Sequence, residues 1–120
     1  TLLVIFEARP DVLPQVAALA LKSGNCLIAK GGRETTQTNR AILQVMQAAY
    51  PPDLHPHWLQ LVEERDLVHQ LLQQPQAIDL VIPRGSNAMV QQIMASTRIP
   101  VLGHADGVCH LYWHPSAMAN

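Results

Sequence analysis

The sequence predicts an α/β fold: a Rossmann-like parallel sheet with helices on both faces. Three observations predict it. Short, continuous apolar runs recur along the chain, as in strands covered on both faces. Stretches with helical apolar spacing separate those runs. Gly, Pro and small polar residues mark the junctions. No repeat or low-complexity segment interrupts the alternation, and the one linker-like stretch, residues 51–57, is too short to divide domains.

The first run, residues 2–6 (LLVIF), is the first strand. A helix follows over 12–22, with Asp11 as its N-cap and Gly24 as its C-terminal stop. Its apolar residues Val12, Leu13, Val16, Ala17, Leu19, Ala20 and Leu21 lie nearly all round, so the helix is expected to be well buried. Residues 26–29 form a second strand. A second helix runs from about 34 to 50, with Ile42, Leu43, Met46, Ala49 and Tyr50 as its inner stripe and Pro51-Pro52 ending it. A third strand spans 58–62. Glu63-Glu64 open a short helix that places Leu67, Val68, Leu71 and Leu72 on one face. A fourth strand spans 78–82, and Pro83-Arg84-Gly85 is a turn. Ser86 caps a helix with inner pairs Met89/Val90 and Ile93/Met94. Residues 100–102 and 108–113 read as further strands.

Composition limits the functional classes. The chain has 120 residues, 48% of them hydrophobic and only 14% charged, against about 25% charged in an ordinary soluble domain. Some of this surface is therefore expected to face other protein. The net charge of -1 offers no basic field for a nucleic-acid backbone. No apolar run approaches the roughly 20 residues of a membrane span. Two distant cysteines, Cys26 and Cys109, suggest no disulfide framework and fit a reducing, cytoplasmic setting. The first residues run straight into a strand, which reads as a cut from a longer chain.

In a parallel sheet, ligands sit beyond the carboxyl ends of the strands. Four loops are expected there, all on one edge: residues 7–11, 30–34, 83–86 and 103–107. In the third, Gly85 lets backbone approach a ligand, and Ser86 with the first helix amides can hold a phosphate or simply cap the helix. Its spacing is not that of a standard dinucleotide fingerprint. Lys30 and Arg33 flank Gly31-Gly32 and suit a ribose or phosphate, or belong to a solvated charged loop. Arg9 offers a bidentate fork to a carboxylate or phosphate. His104, Asp106, Cys109 and His110 match no zinc spacing, so no metal site is assigned. On a strand Cys109 and His110 point to opposite faces, which argues against a catalytic pair and for a structural cysteine. Cys26, in an apolar run, is expected to be core. His55, His57, His69 and His114 read as surface or loop residues.

Taken together, LVIFEARPDVLPQVAALALKSGNCLIAKGGRE, IDLVIPRGSNAMV and IPVLGHADGVCHLY resemble three blocks, in order, of the gamma-glutamyl phosphate reductase family. That family belongs to the aldehyde dehydrogenase superfamily and also forms the second half of bifunctional delta-1-pyrroline-5-carboxylate synthases. The resemblance implies a segment of the aldehyde dehydrogenase fold and an NADPH-dependent reduction of glutamyl 5-phosphate to glutamate 5-semialdehyde. It implies NADP as cofactor, held by Lys30, Gly32, Arg33, Pro83, Gly85 and Ser86, with Arg33 meeting the 2′-phosphate. Glu7, Arg9 and Asp11 become candidates for the oxyanion or substrate loop. The family nucleophile lies in a later PxxCNxxETLL block that this chain lacks. The intact enzyme would pack this segment on its catalytic domain and would form a homo-oligomer. The alternative is a non-catalytic Rossmann-like binding module.

Without a cysteine to capture the acyl group, no thioester is available for reduction. The isolated chain is therefore expected to show no reductase activity. NADPH oxidation with gamma-glutamyl phosphate that Cys109→Ser abolishes would overturn this expectation and the structural reading of Cys109.

Overall fold

The computed structural model describes residues 1–103, Tyr112 and His114. Its elements run β1 (Leu2–Phe6), α1 (Val12–Lys22), β2 (Leu27–Lys30), a 3-10 turn (Arg33–Thr35), α2 (Thr36–Ala48), β3 (Leu59–Leu61), α3 (Arg65–Leu71), β4 (Leu80–Arg84) and α4 (Asn87–Ser96). The strands pair in parallel in the order β3-β2-β1-β4. The predicted fifth strand is reduced to a single parallel bridge between Val101 and Val81. The loop expected at 103–107 and the strand at 108–113 fall, apart from Gly103 and Tyr112, outside the described residues, as do His104, Asp106, Cys109 and His110.

Central β1 explains the layering. Successive side chains of a strand point to opposite faces. Leu3 and Ile5 meet Val81, Val68, Leu72 and Ile93 on the α3/α4 side. Val4 and Phe6 meet Leu27, Ala29, Leu59, Leu13, Ala17 and Ala20 on the α1/α2 side. An apolar run without alternation is what a strand needs when both of its faces are covered.

The C-terminus of α1 closes as its sequence directs. Gly24 takes φ +70, a left-handed conformation that favours glycine. Its N–H donates to the Leu21 carbonyl at 3.1 Å, and the Asn25 N–H reaches the Ala20 carbonyl at 2.9 Å, which together make a Schellman closure. The other end differs from expectation. Asp11 precedes the helix, but its carboxylate caps no amide. It lies instead near Gln15 Nε2, at 3.3 Å, and Arg9, at 3.5 Å. Asp11 is itself in a helical backbone conformation, whereas a capping side chain needs the extended one.

The helices bury less than their composition suggests. Leu19 and Leu21 of α1 are 67% and 43% exposed, because the helix has only one face on the sheet. Leu67, Met94 and Ala49 also lie outward, while Val68, Leu72, Val90 and Ile93 carry the contacts. Cys26 is exposed and not core: it precedes β2 at the edge where the chain leaves the Gly24 turn. Pro83 belongs to β4, paired with Ile5, so the following turn begins later than expected. The Val81 N–H and carbonyl face the residue 100–102 segment. Pro83, two residues on, has no N–H to extend that pairing, which ends at the Val81–Val101 bridge.

Leu13, with no exposed surface, is expected to cost about 2–5 kcal/mol when replaced by alanine. Leu19→Ala, on the open face, should stay within about 0.5 kcal/mol. Gly24→Ala should cost about 1–2 kcal/mol through its backbone. Urea unfolding of the three variants checks the ranking.

Candidate functional site

A parallel sheet brings every strand's carboxyl end to one edge, and three of the four predicted loops meet there. Two glutamates tie them together. The Ser86 N–H, ahead of α4, donates to Glu7 Oε2 at 3.1 Å. The Ala8 N–H donates to Glu34 Oε1 at 3.0 Å. The loop after β1 is thereby braced to the loop after β4 by Glu7 and to the loop after β2 by Glu34. Ala8 carries φ 44, the one left-handed non-glycine residue of the described chain, and the Glu34 bond lies on that strained residue.

The glycines make room for these carboxylates. A Cβ on Gly85 would fall 2.6 Å from Glu7 Oε2 and would also strike Met89. One on Gly32 would collide with the Glu34 carboxylate, and one on Gly31 with the side-chain amide of Asn39. The close approach that the sequence assigns to a ligand at Gly85 and Gly32 is thus made first by the chain's own anions. Both sit on backbone N–H groups, and this edge is built to hold negative charge.

The other predicted residues take definite positions. Lys30 ends β2, and its ammonium donates to the Gly31 carbonyl. Burial is the largest influence on Lys30 and holds its pKa below the ordinary lysine value; Glu34 opposes this, Arg33 and Arg65 add to it, and Glu63 opposes it. Arg33 opens the 3-10 turn after Gly32 and is exposed. Ser86 caps α4, its hydroxyl accepting from the Met89 N–H at 3.4 Å. Arg9 is 73% exposed along its side chain and stands at the mouth of an apolar groove of about 880 Å³. That groove runs between α1 and the β1–β4 face, with Leu2, Val4, Val16, Leu19 and Ile82 in its walls and Glu7 and Arg84 near Arg9. Pro83, by contrast, is fully buried and presents no side chain to a ligand. Among the described residues no group of three His, Cys, Asp or Glu is placed to hold a metal ion, and no helix is long and apolar enough to cross a membrane.

Glu34 begins a helical turn, as its sequence position suggests, yet its carboxylate works at long range on Ala8. Nothing in the sequence announces that bond. Asn39 went unmarked as well, although a signal exists: it lies three residues before Ile42 and four before Leu43, on the same stripe of α2, where a polar residue is out of place. If the two glutamates brace the loops, Glu34→Ala should speed amide exchange at Ala8, and Glu7→Ala should speed it at Ser86, each without affecting the other site's sheet amides. Hydrogen exchange read by NMR checks both; unchanged rates would mean the carboxylates are free in solution.

No family model matches the chain. Curated relatives do. It is 51% identical to the gamma-glutamyl phosphate reductase of Ruminiclostridium cellulolyticum over 115 residues, 95% of this chain and 27% of that protein. It is 52% identical to the delta-1-pyrroline-5-carboxylate synthase of Mesembryanthemum crystallinum, over 97% of this chain and 16% of that protein. Two solved structures share the fold. The gamma-glutamyl phosphate reductase of Saccharomyces cerevisiae gives a TM-score of 0.78 at 47% identity, over 88% of this chain and 28% of that one. The reductase of Thermotoga maritima gives 0.79 at 30% identity, over 84% and 25%. The chain therefore spans about a quarter of the length of the reductases it matches. With half of its residues identical over nearly all of its length, and the same fold in two solved reductases, this chain is a homologue of one segment of the gamma-glutamyl phosphate reductases, a segment that the delta-1-pyrroline-5-carboxylate synthases share.

Proposed function

We propose that this chain is the nucleotide-binding part of an NADPH-dependent gamma-glutamyl phosphate reductase, which converts L-glutamyl 5-phosphate to L-glutamate 5-semialdehyde in proline biosynthesis. The observation that carries the reading is the anion-holding edge. Exposed Arg33, half-buried Lys30 and the capped N-terminus of α4 stand at the ends of parallel strands. The donor set of two cations, a hydroxyl and backbone amides fits a nucleotide bearing several phosphates. When bound, the nicotinamide supplies the hydride for the reduction. Lys30 and Arg33 hold the adenosine end, Arg33 gripping the 2′-phosphate. Ser86 and its amide hold the pyrophosphate, which requires the Glu7 carboxylate to turn away. Arg9, beside the groove, is the residue of its loop best placed to meet an anionic substrate.

The groove belongs to the same proposal. Leu19 and Leu102 are 67% and 63% exposed beside it, and the chain is poor in charge. This face packs on the remainder of the reductase, whose length is several times that of this segment.

Glu34 bears on the choice of cofactor. A carboxylate in this loop could accept the ribose hydroxyls of NAD; here its Oε1 accepts from the Ala8 amide, which draws Glu34 toward the loop after β1. That leaves two cations beside the site of the 2′-phosphate. Arg33→Ala in the full-length enzyme should lower the preference for NADPH over NADH about ten- to a hundred-fold, the worth of one charge-assisted contact. An unchanged ratio would make Arg33 a solvated loop cation.

The Lys30 shift predicts a pH effect. Only the protonated amine attracts phosphate, and burial lowers its folded pKa from 10.5. Protonation, and with it the Lys30 contribution to NADPH affinity, is present at low pH and is lost as pH rises through a range below that of an ordinary lysine. Titrations across that range should show the decline, and Lys30→Arg should remove it.

A further inference from the structure

Asn39 is 1% exposed and Thr35 8%, the two buried polar side chains of the described residues. They form one hydrogen-bonded chain. Asn39 Nδ2 donates to Thr35 Oγ1 at 3.1 Å, and Thr35 Oγ1 donates to the Gly32 carbonyl at 3.1 Å. The Thr35 N–H donates to that same carbonyl at 3.2 Å. The Asn39 amide also presses on Gly31, where any Cβ would strike it. One buried side chain of α2 therefore touches Gly31 directly and reaches Gly32 through Thr35.

Helix stability does not explain this arrangement. Asn39 Oδ1 has no hydrogen-bond partner among the described residues, and a buried acceptor left unmade is destabilising. A leucine at position 39 would extend the stripe of Ile42, Leu43, Met46 and Tyr50 that packs on the core and would remove the unmet acceptor, while the Thr35 hydroxyl would lose a donor and keep its own bond to the Gly32 carbonyl. What asparagine provides, and leucine would not, is a donor toward the loop. That loop in turn fixes both cations. The Lys30 ammonium is bonded to the Gly31 carbonyl, and Arg33 starts the turn that Gly32 precedes.

We propose that Asn39 and Thr35 are positioning residues, which hold the Gly31–Gly32 backbone so that Lys30 and Arg33 converge on a 2′-phosphate and thereby set the discrimination between phosphorylated and unphosphorylated adenosine. This rests on the nucleotide reading above. The relay acts on loop geometry and touches no ligand. Its loss should therefore leave contacts to the rest of the nucleotide in place and weaken the 2′-phosphate contact selectively.

The test uses the 15N-labelled 120-residue chain, with adenosine 2′,5′-bisphosphate and adenosine 5′-monophosphate as probes. Thr35→Ser keeps the hydroxyl and should leave the Gly31, Gly32 and Arg33 amide signals and the ratio of the two affinities unchanged. Thr35→Val and Asn39→Leu should displace those loop signals and lower the ratio about ten-fold, the worth of one charge-assisted hydrogen bond. Asn39→Leu should do so while unfolding at no lower urea concentration than the wild type, which separates positioning from stability. Loop signals that stay in place in both variants, or a ratio that holds when they move, overturn the proposal. A wild-type chain that binds neither probe defeats the nucleotide reading itself, and with it the assigned purpose of the relay; the loop signals then still decide whether the relay holds the backbone.

Discussion

The architecture depends on β1, which hydrogen-bonds in parallel to β2 on one side and to β4 on the other. Parallel pairing requires each connection to cross the sheet and return to the same end. The helices must then cover the faces, and the strand ends must share one edge. β1 has to be apolar on both sides, as Leu3 and Ile5 on one face and Val4 and Phe6 on the other make it. Once that strand is buried, the loops at residues 7–11, 30–34 and 84–86 are neighbours regardless of their own sequences. The site is a consequence of topology before it is one of chemistry.

How the loops are held then follows from charge and space. Backbone amides at strand and helix ends lack partners within their own elements. At this edge Glu7 and Glu34 supply acceptors, and Gly85 and Gly32 supply the room. A carboxylate on Ser86 and a phosphate on Ser86 are alternatives. The pyrophosphate offers several acceptor oxygens, while Glu7 has the advantage of being tethered. The Glu34 bond to Ala8 lies away from Ser86, on a residue whose conformation few non-glycine residues adopt.

Much of this was legible in the sequence. The bounds of β1 and α1 could be read to the residue, because an apolar run and a Gly-terminated helix are local signals. Ser86 as a cap and the meeting of three loops were legible as well. What the sequence could not show was which parts of an apolar helix find a neighbour. Leu19, Leu67 and Met94 have the composition of core but lie where this chain offers nothing to pack against. Cys26 and Pro83 moved between categories because element ends slipped by one or two residues. The bonds of Glu7 to Ser86 and of Glu34 to Ala8 link residues 79 and 26 positions apart, and no local pattern encodes such a pair.

Asn39 shows how far local reasoning can reach when a pattern is broken. Its position on the inner stripe of α2 could be counted from Ile42 and Leu43, and a polar residue there conflicts with the packing of that stripe. Such conflicts concentrate where a fold gives up stability for something else. Here the conflict lies directly beneath the two glycines that separate the site's cations. Gly31 must lack a side chain because Asn39 occupies the space, and Asn39 donates to the Thr35 hydroxyl that in turn donates to the Gly32 carbonyl. The glycine pair, the threonine and the asparagine form one unit distributed over a loop, a 3-10 turn and a helix. Substituting any one of them changes what the other three are required to be, so variation at Gly31 should be tolerated only together with variation at position 39.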